Sequence, residues 1–445
     1  MMIIIFHRRG YDVQFISSYN VIFYYAKICI ITPVKKTADN LHAVHPLKAL
    51  CMNWIEISFW ICMGIVFYAF LGYGIVLYGL VIIKRLIKRN KQVKTHFEPA
   101  VTLVIPCCNE ADILRDKIAN SKKLDYPAEK LKIIFITDGS TDGSDSYLRA
   151  WPEIGVLHED RRGGKTAAEN RAMKYVDTPF VIFSDANTKL NSAAVKNIVR
   201  HFEDEMVGCV SGEKRIINDA AGSAGAAGEG IYWKFESFLK ELDSELNSAC
   251  GAAGELVAFR SSLYRDLPED TLLDDFMQSM QMAASGYKII YEKEAYAVET
   301  APGNVAEELK RKIRICAGGW QSIKRLAGNL TMRKTPLLYF QYISHRVLRW
   351  TITPFLFIAI FVLNMYIIKS GSQFYMAIMV AQVLFYSVAI VGYNLENRRV
   401  KFKPVLVPYY FCIMNYAVLA GLHRYLSGQQ KASWDKAQRK AIPLN

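Results

Sequence analysis

The sequence predicts an α/β domain inserted between membrane-spanning helices, and three observations predict it. Ile57 to Ile83 holds no charged residue over 27 positions, enough to cross a bilayer as a helix. From Phe97 to about Leu330 short apolar runs alternate with helical stretches, the pattern of a mainly parallel sheet covered on both faces. After that, Thr351 to Ile368, Phe374 to Tyr393 and Pro404 to Gly421 are charge-free and apolar enough to cross. The 445 residues are 52% hydrophobic with a net charge of +14. That charge gathers beside apolar runs: Lys84, Arg85, Lys88, Arg89 and Lys91 after one, Arg398, Arg399, Lys401 and Lys403 between two others. Membrane lipids are therefore the expected surroundings, and no nucleic-acid module is legible.

In chain order, residues 1–51 form an extension that fits no element well. Val13 to Ile31 is apolar but carries Lys27, and Pro33 follows. Met52-Asn53-Trp54 before a strong span resembles the start of an inner-membrane protein, which suggests a mis-assigned start codon or a poorly ordered extension. Residues 52–92 are the first span and its basic flank, which predicts a cytoplasmic domain next and a multi-pass inner-membrane protein. Within 97–330, Ala100 to Pro106, Leu131 to Thr137, Val156 to His158, Phe180 to Ser184 and Cys209 to Gly212 read as strands. Ala111 to Lys123 and Thr166 to Tyr175 read as helices, and Asp219 to Gly230, rich in Gly and Ala, as a mobile loop. Val305 to Leu326 is basic and amphipathic. Residues 333–350 predict a helix in the membrane interface, with Phe340, Ile343, Val347 and Trp350 on one stripe. Residues 351–423 are the C-terminal membrane region and 424–445 a basic tail. Three full crossings would put that tail outside, against its charge, so Pro404 to Gly421 is either re-entrant or an exception. The nine cysteines show no Cys-x-x-Cys pair, which argues against a disulfide framework and for a reduced, cytosolic domain.

The chemistry-bearing residues fall at strand ends, where open α/β sheets bind ligands. Asn109 and Glu110 follow the first strand. Asp138 opens Asp138-Gly139-Ser140-Thr141-Asp142-Gly143-Ser144 after the second; an Asp there can accept from a nucleobase imide or ribose hydroxyls, though the segment also suits a plain turn. Gly163-Gly164-Lys165-Thr166 lacks Walker spacing, yet Lys165 at a helix start can meet a phosphate. Ser184-Asp185-Ala186-Asn187 ends the apolar run Phe180 to Phe183. Asp185 and Asn187 can place two oxygens on one hard cation, or simply make an Asx turn. Asp274 and Asp275 pair two carboxylates after an apolar run, which places one near a reacting hydroxyl or at a helix N-terminus. Arg311 and Arg314 could hold a diphosphate.

In order and spacing this string resembles the membrane-bound family 2 glycosyltransferases, the group of cellulose, hyaluronan and poly-N-acetylglucosamine synthases, over about Ala100 to Leu326 and the flanking spans. The resemblance implies a GT-A-type nucleotide-sugar-binding domain and an inverting hexosyl transfer, probably from a UDP-linked sugar, to a growing polysaccharide or lipid-linked glycan. By motif it implies nucleotide contacts from Asn109, Glu110, Asp138 and Lys165. It implies Mg2+ or Mn2+ on Asp185 and Asn187, an acceptor channel along Gly251 to Glu255 (Gly254 and Glu255 included), and Asp275 as general base beside Asp274. Arg311 and Arg314 would lie near the pyrophosphate, with Trp320 and Gln321 beyond. Three positions depart from the pattern: Asn187 is a neutral ligand, Asp274 replaces Glu, and Ile315 replaces the Trp that often closes the acceptor site, a role Trp320 could take from a helical turn further on. Export subunits are possible partners.

Other functions remain open at this level. A polyprenyl-phosphate glycosyltransferase would use the same site. An inactive glycosyltransferase-like scaffold is opposed by Asp138, Asp185 and Asp275 occurring together. A small-molecule transporter would carry broken helices and buried charges, which residues 351–368 and 374–393 lack.

Overall fold

The computed structural model describes residues 41–87, 97–217, 224–300, 305–397 and 403–430. By packing, the chain falls into residues 1–57 and residues 58–445. The described part of the first is the start of helix α1 (Leu41–Phe67), and the reading of Val13 to Ile31 lies outside the described residues.

An eight-stranded sheet carries the domain, in the order β3-β2-β1-β4-β7-β6-β8-β5. Strands β1 (Val101–Cys107), β2 (Leu131–Asp138), β3 (Gly155–Glu159) and β4 (Phe180–Ser184) are all parallel. Each begins within a residue of its expected start, because each is a short, mainly apolar run; β1, β4 and the second half of β2 are buried. The second half differs from the expected mainly parallel sheet. Strand β7 (Leu256–Arg260) runs antiparallel to both β4 and β6 (Val207–Ile217). Strand β8 (Lys288–Thr300) pairs parallel with β6 and antiparallel with the two-residue β5 (Lys189–Leu190). β8 escapes sequence reading because Glu292, Lys293 and Glu294 interrupt its apolar run. From β1 the chain goes to β2 and β3 on one side, then crosses from β3 to β4 on the other side of β1, so the crevice between the carboxyl ends of β1 and β4 is a topological switch point.

Helices α3 (Ala111–Lys122), α4 (Ser144–Arg149), α5 (Lys165–Met173) and α6 (Ala194–Val199) follow successive strands. Two apolar clusters hold the layers: one around Leu103, Ile105, Leu114, Ile118 and Phe135, the other around Val104, Val181, Phe259, Phe276 and Met280. Of the expected mobile loop, residues 218–223 lie outside the described residues, and Ala224 onward is helical instead, within α7 (Ala224–Leu246). After α8 (Asp274–Ala284) and β8 comes α9 (Val305–Leu326).

Among the described residues, four helices are long and apolar enough to cross a membrane: Met52–Ile87, Thr353–Ser370, Gln373–Leu395 and Pro404–Leu426. The first joins α1 to α2 (Tyr73–Ile87) through a π turn, Tyr68–Gly72. Residues 336–350 are helical throughout, as α10 (Pro336–Tyr342), a π turn (Ile343–Val347) and α11 (Leu348–Trp350). From Leu338 to Trp350 no residue of this segment is exposed, and His345 and Arg346 pack inward on α7. Tyr68 Oη and Ser344 Oγ share a hydrogen bond of 2.8 Å that ties the two π turns together. α12 (Thr353–Ile367) and α13 (Gln373–Asn397) follow. Helix α14 (Lys403–Leu426) packs along α9 as well as α13. A Cβ at Gly421 would lie 2.6 Å from Cys316 Cβ, so the two helix backbones touch there. The loop Arg398 to Lys403 and most of the basic tail lie outside the described residues.

Candidate functional site

The loops after β1 and β2 brace each other. Asn109 adopts φ 55°, and its Oδ1 accepts the Thr141 N–H at 2.8 Å. Its own N–H donates to Ser140 Oγ at 3.2 Å, and the Ala111 N–H donates to Asp142 at 2.9 Å. Asn109 is thus spent on shaping the turn. Asp138 is buried, and its carboxylate accepts the N–H groups of Gly163 (3.1 Å) and Gly164 (2.7 Å), with Arg171 at 3.6 Å. Gly164 sits at φ +94°, which favours glycine. Asp138 therefore fixes the turn that starts α5 and aims Lys165.

Lys165 Nζ donates to Asp185 Oδ1 at 2.8 Å, with Asp274 at 3.9 Å and Glu169 at 3.8 Å. Burial works against its charge, but Asp185 and Asp274 hold the ammonium well above its ordinary range. Burial and the neighbouring Asp274 push Glu169 well above the usual carboxyl range. The turn after β4 is held from beneath by Lys117, which is buried; its Nζ donates to Ser184 Oγ (2.8 Å), Thr188 O (2.9 Å) and Thr188 Oγ1 (3.3 Å). Burial lowers Lys117 to about 7, with Asp185 acting in the opposite direction.

Asp274 and Asp275 open α8. Burial pushes Asp275 up to about 7, helped by Asp274 and opposed by Lys165. A Cβ at Gly254 would stand 3.0 Å from both Asp275 Oδ2 and Lys165 Nζ, so only glycine leaves that space open. Gly251 is equally constrained, with φ +88° and the Phe276 ring 2.2 Å from its would-be Cβ. Glu255 pairs with Lys214 at 2.6 Å, which overcomes burial and holds its carboxyl well below the usual range. Arg311 forks onto Glu308 at 2.9 and 3.0 Å. Arg314 is lowered by burial and feels Asp274 and Asp275.

These groups line one cavity of ≈ 460 Å³. Of the expected site residues, Glu110, Asp138, Lys165, Asp185 and Asn187 reach it at the end formed by the loops after β1, β2 and β4. Gly254, Glu255, Asp274, Asp275, Arg311 and Arg314 reach it further in. Asn109, Trp320 and Gln321 do not line it. Gln321 instead accepts the Leu272 N–H (3.0 Å) and donates to Asp270 O (2.9 Å), anchoring the loop before Asp274. Trp350 of α11 comes to the wall where Trp320 was expected, packed over Gly319 and 5.2 Å from the Phe276 ring. No sequence signal links it to Ile315. Lys117, Trp233, Arg349 and Trp350 are cavity residues that sequence reasoning missed, because each comes from an element read as structural. The far end reaches membrane helices at Phe70, Met414 and Val418.

Asp185 and Asn187 present hard oxygens to the cavity, and the ammonium on Asp185 shows that the carboxylate takes a cation. The set fits Mg2+ or Mn2+. A second group, Asp243, Cys250 and His345, offers ligand atoms within 4.8 Å of one another. There both imidazole nitrogens already face carboxylates, Asp243 at 2.5 Å and Glu236 at 3.1 Å. Asp243 also accepts from Tyr73 Oη and Gln341. The group reads as an ion-pair network joining α2, α7 and residues 343–350.

A mixed sheet with an Asp-x-Asn turn at its switch point, carried on long apolar helices, defines a GT-A-type domain of a membrane-associated protein. Residues 102–267 match the glycosyl transferase family 2 model, so the chain carries a family 2 glycosyltransferase domain. It is 27% identical over 233 residues to the poly-beta-1,6-N-acetyl-D-glucosamine synthase of Staphylococcus aureus, covering 51% of this chain and 56% of that protein. The synthase of the same name from Staphylococcus epidermidis is 23% identical over 232 residues, with the same coverage of each chain. The chain thus spans about half the length of the curated relatives it matches. A mannosyltransferase from Pyrobaculum calidifontis, solved in complex with GDP-Man and Mn2+, superposes with a TM-score of 0.65 at 21% identity, covering 84% of this chain and 100% of that one. At that identity the likeness concerns the fold.

Proposed function

We propose that the protein transfers a hexose from a UDP-linked nucleotide sugar to a hydroxyl of a growing polysaccharide or lipid-linked glycan at the cytoplasmic membrane face, with inversion. Asp275 carries this reading: a carboxyl raised to about 7 on the cavity wall, opposite a cationic pair, suits a general base at neutral pH. The acceptor hydroxyl gives its proton to Asp275 as its oxygen bonds the anomeric carbon. The bond from that carbon to the diphosphate breaks on the opposite face, and the nucleoside diphosphate leaves. Lys165 and Arg314 face the charge that grows on the leaving group. Mg2+ or Mn2+ held by Asp185 and Asn187 would neutralise the diphosphate when bound. The turn fixed by Asp138 shapes the nucleotide end, and Asp274 helps keep Asp275 raised. The likeness to poly-N-acetylglucosamine synthases supports a polymer product; transfer to a polyprenyl phosphate is the second reading, favoured by the cavity's reach to membrane helices.

The test is a screen of nucleotide sugars with the purified full-length protein, reading nucleoside diphosphate release with and without Mg2+ or Mn2+. Release from one UDP-sugar, dependent on a divalent ion and lost in Asp275→Asn, is expected. Equal release by wild type and Asp275→Asn would overturn the assignment. An alkali-stable polymer against a mild-acid-labile lipid phosphate separates the two acceptors.

A further inference from the structure

The cavity wall next to the membrane helices contains a buried cation with unused donors. The Arg349 side chain is 10% exposed. Its Nη1 donates to Glu236 Oε2 at 3.3 Å, while Nε and Nη2 meet no acceptor among the described residues. Buried guanidinium donors without acceptors are costly and rare in folded proteins. Glu236 is shared with Arg346 (2.5 Å) and His345 (3.1 Å). Lys240 adds a further cation, buried against the rings of Trp233 and Tyr291 at 5.7 and 5.8 Å. Arg346, Arg349, Lys240 and Glu236 all line the cavity.

The planar fork of Arg349 matches a phosphate, which can accept from two guanidinium nitrogens at once. Its place differs from that of the donor phosphates, which belong with Lys165, Arg314 and the Asp185 turn. Arg349 stands just before α12, and the cavity beyond is lined by Phe70, Met414 and Val418. We propose that Arg349, with Arg346 and Lys240, forms a phosphate subsite for the acceptor, and that the phosphate is carried by a lipid whose chain lies along Phe70, Met414 and Val418. This rests on the glycosyl-transfer reading and narrows its acceptor to an anionic, lipid-linked one.

Binding to the full-length protein in detergent tests it without turnover, by calorimetry with farnesyl phosphate, farnesol and inorganic phosphate as probes. Farnesyl phosphate is expected to bind at least about ten-fold more tightly than either other probe, and about ten-fold more weakly to Arg349→Gln and Arg349→Lys. Arg349→Lys keeps a charge on Glu236, so it guards against a folding defect in Arg349→Gln. Undiminished farnesyl phosphate binding by folded Arg349→Lys would overturn the subsite. Inorganic phosphate binding as tightly as the lipid would overturn the lipid source, and displacement of farnesyl phosphate by UDP would reassign the cations to the donor. Lipid phosphate binding that survives while no nucleotide sugar is consumed would sink the transferase reading alone.

Discussion

At the scale of single residues, Asp275 is the position where environment sets chemistry. Asp275→Asn is expected to lower kcat by about 10²–10⁴-fold. In the wild type, kcat should fall as pH drops through about 7, because the base must be deprotonated. The sign for stability is opposite. A carboxyl near 7 when folded and near its ordinary ~4 when unfolded keeps its proton only in the folded state between those values, so stability falls as pH rises across that window. Asp275→Asn should therefore have a higher Tm than wild type at pH 8, even as it loses activity; a lower Tm there would show that the carboxylate is not strained by burial. Asn187→Asp adds a charged oxygen beside Asp185 and should lower the half-saturating Mg2+ or Mn2+ concentration. An unchanged metal response would move the second ligand elsewhere. Of the residues named from sequence, Asp138 is legible as important but not in its role: that depended on two N–H groups from a loop 25 residues away.

At the scale of elements, the short turn between β4 and β5 depends on what lies beneath it. Lys117→Met removes three hydrogen bonds to Ser184 and Thr188 while keeping the volume. The variant should fold and require about ten-fold more metal for half-maximal activity, the usual effect of losing a ligand's support; normal metal titration would limit Lys117 to packing. Helix α9 carries Arg311 and Arg314 and is seated against α14 at Gly421. Gly421→Val should cost about 1–3 kcal/mol by overpacking, read as a lower Tm, and should reduce activity by shifting Arg314. The central strands were legible because each is a buried apolar run. The helical start of α7, the long β8 and the inward basic face of residues 343–350 were not, since their patterns fit a loop, a charged surface and a lipid interface equally well.

At the scale of the whole molecule, the last apolar helix resolves a conflict of charge. Phe411 meets Phe70 and Phe357 at ring distances of 5.2 and 5.1 Å, and Ala417 and Val418 then pack on Ile313 and Cys316 of the catalytic domain. A helix whose C-terminal half is seated on that domain fits a re-entrant path. The basic tail is therefore expected on the same side as the domain, in agreement with its charge. A C-terminal green fluorescent protein fusion should fluoresce and an alkaline phosphatase fusion should be inactive; an active phosphatase would mean that α14 spans fully.

By itself, the sequence determined the α/β class, the apolar helices, and the ordered acids Asp138, Asp185 and Asp275, because these are local signals: an apolar run, a strand-ending turn, a charge-free stretch. Only tertiary structure decided that Asp275 is raised, that Lys117 supports the Asp185 turn, that Trp350 rather than Trp320 reaches the cavity, and that Arg349 faces it with unused donors. Each of those depends on burial and on partners far away in the chain, and neither can be read from neighbouring residues.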